Sequence, residues 1–111
     1  MKDPQENIEI TPQEVKHLME GGEKFILVDV RENWEHDASR IEGSTLIPLR
    51  EIPANLGRLA GAVKVVLYCH HGMRSLDAAL WLRSQGVACA QSMAGGIDSW
   101  SIEIDQEVPR Y

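Results

Sequence analysis

A chain of 111 residues, 43% apolar and 25% charged, has the size of one globular domain, and its 9 Gly and 5 Pro are too few and too scattered for a fibrous or disordered class. Its 17 acidic side chains outnumber 11 basic ones, and the net charge of −6 excludes the basic footprint that nucleic acid or an anionic membrane demands of a partner. No apolar run nears the roughly 18 residues of a membrane span, and no apolar signal core follows Met1, so the cytoplasm is the expected compartment.

Residues 1–7 are polar and expected to form a flexible tail ahead of a single domain over 8–111. Thr11-Pro12-Gln13-Glu14 combines a capping Thr, a Pro at the first helical position and a Glu three residues after the cap, so a helix starts there, with Val15, Leu18 and Met19 on its apolar face. Gly21-Gly22 ends it. Phe25 to Val30 is a β-branched apolar run too short for a free-standing helix and reads as a buried strand. Residues 31–44 are polar, anchored by Trp34 and Ile41 with a turn at Gly43, and Thr45 to Ile47 forms a second short strand. A helix over about Glu51 to Leu59 is weakened by Pro53 and Gly57.

Val63 to Cys69 is apolar on both alternations, the mark of a strand covered on both faces, and is expected at the centre of a sheet. After Gly72, Ser75 to Gln85 has apolar residues almost all round and predicts a largely buried helix. Val87 to Ser92 follows as a strand, Gly95-Gly96 as a turn, and Ile97 to about Ile104 as a last helix with Trp100 inside. Strand alternating with helix predicts an α/β fold with a parallel sheet. Trp34, Trp81 and Trp100 are expected in the core.

Chemistry concentrates in Cys69-His70-His71-Gly72-Met73-Arg74-Ser75, between the clearest strand and the clearest helix. Open α/β sheets bind ligands beyond the carboxyl ends of their strands. A loop turning at Gly72, with successive N–H groups inward at a helix N-terminus, forms a nest that holds an anion or stabilises a thiolate on Cys69. Arg74 adds a permanent positive charge. The surrounding stretch 40–83 carries 6 basic and 3 acidic residues in an otherwise acidic chain. Cys69 has the competing reading of a small buried residue ending a strand. Cys89, mid-strand without basic neighbours, reads as core. His70 and His71 are a general base or metal ligands on one reading and loop filler on the other, with no third ligand placed by the sequence. Two cysteines make no disulfide framework and no CxxC or HExxH metal spacing.

Tyr68 to Ser75, preceded by Asp29-Val30-Arg31-Glu32 and followed by Gly95-Gly96-Ile97-Asp98-Ser99-Trp100, resembles the single-domain rhodanese-like sulfurtransferases, with the three motifs in that family's order from about Ile8 to Tyr111. The resemblance implies a parallel sheet of about five strands flanked by helices on both faces. It implies transfer of sulfane sulfur through a persulfide on Cys69, with the N–H groups of residues 70–74 stabilising the anion and Arg74 positioning the donor, and without a metal or organic cofactor. The partners implied are a small sulfur-containing anion as donor, cyanide or a thiol as acceptor, or a protein in either role. Asp29, Arg31, Glu35 with Arg40, and Ser75 would brace the loop. The chain departs from the family in two places. His70 follows the cysteine where many thiosulfate-using members have Arg, and Ser39-Arg40-Ile41-Glu42-Gly43 replaces a common Gly-His-Ile-Pro-Gly stretch. The donor is therefore left open among thiosulfate, polysulfide and a protein persulfide. Related phosphatases place five residues between Cys and Arg, against the four between Cys69 and Arg74. The shorter loop is a tighter cup, suited to sulfur rather than a tetrahedral phosphate, which disfavours a phosphatase or arsenate reductase. A non-catalytic binding module is the remaining alternative, and the presence of Cys69 speaks against it.

Overall fold

The structure, a computed structural model, describes residues 7–111. Most of the tail predicted over 1–7 thus lies outside the described residues; the carbonyl of Asn7 accepts hydrogen bonds from Gln91 Nε2 at 2.7 Å and Arg83 Nη2 at 3.1 Å.

The elements are β1 (Glu9–Ile10), α1 (Pro12–Glu20), β2 (Ile26–Asp29), α2 (Asn33–Ala38), β3 (Thr45–Leu46), α3 (Leu56–Ala60), β4 (Val65–Tyr68), α4 (Met73–Ser84), β5 (Ala90–Met93) and α5 (Gly96–Glu103). The strands form one parallel sheet in the order β1-β5-β4-β2-β3, so the most apolar strand, β4, is central as its two-sided pattern requires. Register pairs Asp29 with Tyr68. The residues that follow them, Val30 to Arg31 and Cys69 onward, therefore leave the sheet side by side.

Alternation along the strands divides the core in two. Val28, Val30, Val65, Leu67 and Cys69 face one side and pack with Ile52, Leu59, Ala78, Ala79 and Leu82. Leu27, Val66 and Tyr68 face the other and pack with Val15, Ile97 and Trp100. Helices thus cover both faces, α3 and α4 on the first and α1 and α5 on the second. α1 begins with the predicted capping box: Thr11 Oγ1 accepts from the Glu14 N–H, and Glu14 Oε1 accepts from the Thr11 N–H.

Several expectations need correction. The polar stretch 31–44 contains α2, and the weakened helix over 51–59 breaks into 3-10 turns at Leu49–Glu51 and Pro53–Asn55 before α3, because Pro53 removes a helical donor. α4 starts at Met73, two residues earlier than predicted, since the left-handed Gly72 (φ +106°) turns the chain directly into it. Nor is α4 largely buried: Leu80 and Trp81 are exposed, because among the described residues only the face toward the sheet is covered. Trp34 is 63% exposed and rests edge-on against the Tyr111 ring. Of the three tryptophans only Trp100 is core. Cys89 precedes β5 and is half-buried at the margin of the core, its sulfur 3.7 Å from the Ala62 carbonyl.

Candidate active site

Cys69 follows directly on the central strand, its side chain buried beneath the loop it opens. Its Sγ accepts from the backbone N–H groups of Gly72, at 3.1 Å, and Ser75, at 3.4 Å. Ser75 lies one residue past the donors expected at 70–74. Its hydroxyl sits 3.4 Å from the sulfur and 2.7 Å from the hydroxyl of Ser92, a polar residue of β5 that the sequence reading passed over. Gly72 makes the curl possible, and α4 points its N-terminus at the sulfur, so backbone dipoles and donors converge where a negative charge would sit.

The second glycine motif holds the loop from behind. Gly96 packs so closely that a Cβ there would lie 2.4 Å from the carbonyl oxygens of both Cys69 and His70. Those carbonyls accept from the N–H groups of Ile97, at 2.8 Å, and Asp98, at 3.1 Å. The start of α5 therefore fixes the start of the active loop.

Arg74, at the base of α4, forms a two-pronged ion pair with Glu35, both N–O distances 2.8 Å, leaving its side chain about one third exposed. This corrects the pairing of Glu35 with Arg40: Arg40 is exposed and reaches the His36 carbonyl at 3.4 Å. The reason is topological, since β2 and β4 are neighbours and their outgoing segments face each other across the carboxyl edge. The Arg74 guanidinium, with burial opposing it, holds the Glu35 carboxyl down at about 2, and the same bond raises Arg74. Glu35 also caps α2, accepting from the Glu32 N–H at 3.0 Å.

Asp29 and Arg31 form a fully buried ion pair with two bonds of 2.8 Å. Burial opposes the charge on Arg31, but hydrogen bonds to Asp29 and Tyr111 more than offset it and keep the guanidinium charged. His36 Nδ1 approaches Asp29 Oδ2 at 2.8 Å, and the Ser39 carbonyl accepts from Arg31. Tyr68, pushed up to about 12 by burial, accepts from the Ile41 N–H at 3.2 Å and ties the 39–44 turn to β4.

His70 is stacked between His71 and Tyr111, each ring centroid 4.1 Å away, and burial followed by the His71 charge lowers its pKa. His71 and Met73 project outward. The third ligand that the sequence did not place beside the histidines is Asp98: the ligand atoms of His70, His71 and Asp98 lie within 4.8 Å of one another. Asp98 is already paired with Arg110 at 2.9 Å, and the two imidazoles lie nearly parallel, 13° apart, so their lone pairs do not converge on one ion. Tyr111, which no sequence pattern marked, donates to Glu35 Oε2 at 2.7 Å and accepts from Arg31 Nη1 at 2.8 Å.

A loop of this length, with a buried cysteine under backbone donors and the Gly-Gly turn behind it, coincides with a match of the rhodanese-like domain family model to residues 11–103. The chain belongs to the rhodanese-like domain family. Among relatives, a sulfurtransferase of Allochromatium vinosum is 29% identical over 93 residues, covering 84% of this chain and 87% of the relative. The probable adenylyltransferase/sulfurtransferase MoeZ of Mycobacterium tuberculosis is 34% identical over 92% of this chain, which spans only 26% of MoeZ. Of solved structures, the human single-domain sulfurtransferase superimposes with a TM-score of 0.76 at 25% identity, covering 86% of this chain and 96% of the human one. The rhodanese-like chain is thus similar to sulfurtransferases both in sequence and in its five-stranded parallel α/β fold. Among the described residues no helix is long and apolar enough to cross a membrane.

Proposed function

We propose that this rhodanese-like protein is a sulfurtransferase that carries sulfane sulfur as a persulfide on Cys69. The observation that carries the reading is the Cys69 sulfur, set beneath the N–H groups of Gly72 and Ser75 in a loop closed by Arg74. In the first half-reaction the Cys69 thiolate attacks the outer sulfur of a donor such as thiosulfate. A sulfur–sulfur bond forms to Cys69, the donor's own breaks, and sulfite leaves with that electron pair. In the second, cyanide or a thiolate attacks the terminal sulfur, and the Cys69 thiolate leaves and is regenerated. The negative charge that the sulfur carries as the attacking thiolate and as the persulfide draws on the loop donors and the α4 N-terminus. Arg74 supplies the charge that holds an anionic donor near Cys69, and Glu35 keeps its guanidinium oriented. Asp29, Arg31 and Ser75 brace this arrangement and move no proton.

Polysulfide or a protein persulfide fits the same chemistry, each delivering an outer sulfur, with polysulfide leaving as a chain one sulfur shorter and the protein persulfide as a thiolate. The sulfurtransferase names of MoeZ and of the Allochromatium vinosum relative support sulfur transfer as the reaction. Intact mass before and after thiosulfate, and again after cyanide, tests the reading. Wild type should gain one sulfur atom and lose it to cyanide, and Cys69→Ser should gain none. No gain from thiosulfate, polysulfide or a protein persulfide would replace enzyme by binding module, and a Cys69→Ser variant that still loads sulfur would remove Cys69 from the mechanism.

A further inference from the structure

The segment after α5 returns across the active loop and is held at four successive points. Val108 packs against the second core, Ser39 Oγ donates to the Pro109 carbonyl at 2.6 Å, Arg110 pairs with Asp98 at 2.9 Å, and Tyr111 stacks on His70. Two of these anchors, Asp98 and His70, are tied to the loop itself, since the Asp98 N–H donates to the His70 carbonyl.

Counting donors on Glu35 indicates what Tyr111 does there. Oε1 accepts from Arg74 Nη1 and the Glu32 N–H; Oε2 accepts from Arg74 Nη2 and the Tyr111 hydroxyl. Each oxygen has its two lone-pair directions filled, so the carboxylate is held in one plane and the Arg74 fork with it. The Tyr111 oxygen in turn accepts from Arg31, which is locked to buried Asp29. The result is a chain of alternating charge, Asp29, Arg31, Tyr111, Glu35, Arg74, in which one neutral hydroxyl joins the buried ion pair to the one at the mouth.

We propose that Tyr111 is a positioning residue: its hydroxyl fixes the direction of Arg74 through Glu35 and its ring fixes His70, so that residues 108–111 set how well the loop engages an anionic sulfur donor. Tyr111 is pushed up to about 12 by burial and by Glu35, so the hydroxyl keeps its proton at any pH at which the protein would work. The inference deepens the sulfur-transfer reading and rests on it. Arg74 lies in the loop between Gly72 and Ser75, whose N–H groups both reach the Cys69 sulfur, so alkylation of that sulfur provides a readout independent of that reading.

Tyr111→Phe removes the hydroxyl and keeps the stacked ring. Because the lost bond is to a charged group, kcat/KM for thiosulfate should fall about tenfold, while kcat/KM for cyanide, which reports the second half-reaction alone, should change by less than about twofold. In parallel, Cys69 is alkylated with anionic iodoacetate and neutral iodoacetamide, and the two rates are read by mass at that residue. The iodoacetate preference of wild type should drop in Tyr111→Phe and in Glu35→Gln to a similar extent. If wild type transfers no sulfur, the alkylation ratio still judges Tyr111 while the function fails separately. Equal loss in both half-reactions, or an alkylation ratio unchanged in Tyr111→Phe, would reduce Tyr111 to a packing residue and overturn the proposal.

Discussion

Replacing Gly96 by alanine places a methyl group where the backbone of the active loop already stands. Its Cβ would lie 2.4 Å from the Cys69 and His70 carbonyl oxygens and 2.5 Å from the His70 carbonyl carbon, none of them the free end of a flexible side chain. Gly22→Ala is the matched control: Gly22 has nearly the same left-handed φ, +69° against +63°, with nothing within 4 Å of the added carbon. Both variants bear the left-handed cost of about 1–2 kcal/mol, partly offset by a stiffer unfolded chain. Gly96→Ala must also push the loop off α5, weakening the Ile97 to Cys69 and Asp98 to His70 hydrogen bonds, at about 1 kcal/mol each. Residual overpacking adds about 1–3 kcal/mol. The expected losses are therefore about 1 kcal/mol for Gly22→Ala and about 4–6 kcal/mol for Gly96→Ala. Urea unfolding at equal m-values measures both, and the alkylation rate of Cys69 shows whether the loop has moved. If the two variants agree within about 0.5 kcal/mol, the loop does not depend on close approach at Gly96 and the account of the Gly-Gly turn is wrong.

Glu35→Gln tests the mouth ion pair through pH. The Glu35 carboxyl is held at about 2 in the folded protein, below its ordinary 4.5, so its contribution to stability is complete above pH 4.5 and disappears as pH falls toward 2. The wild type should exceed the variant by up to about 3 kcal/mol near neutrality, with the gap closing only across that acid window; a gap that closes between pH 6 and 8 would point to a different group. Trp34→Ala and Trp100→Ala separate surface from core. The first removes a side chain 63% exposed and should cost less than about 1 kcal/mol. The second empties a core site, 4% exposed, and should cost about 3–5 kcal/mol, so comparable urea midpoints for the two would contradict the burial pattern.

Whatever depends on neighbours along the chain was legible in the residues themselves. The capping box at Thr11, the two-sided apolar run of β4 and the turn at Gly72 all act within a few residues, and each is found where the residues put it. The same holds for the contiguous loop from Cys69 to Ser75. Tertiary structure alone decided which side chains complete the site, because their partners are far off in sequence. Glu35 meets Arg74 across 39 residues and Tyr111 meets Arg31 across 80, distances that only the parallel register and the return of the chain after α5 abolish. Arg40, five residues from Glu35 along the chain, is the partner that sequence proximity suggests, yet Arg74 is the one that Glu35 meets in space. Burial followed the same rule. Composition marks Trp34, Trp81 and Leu80 as apolar, but which face of a helix is covered depends on the layers packed against it, and among the described residues these three stay on the exposed side.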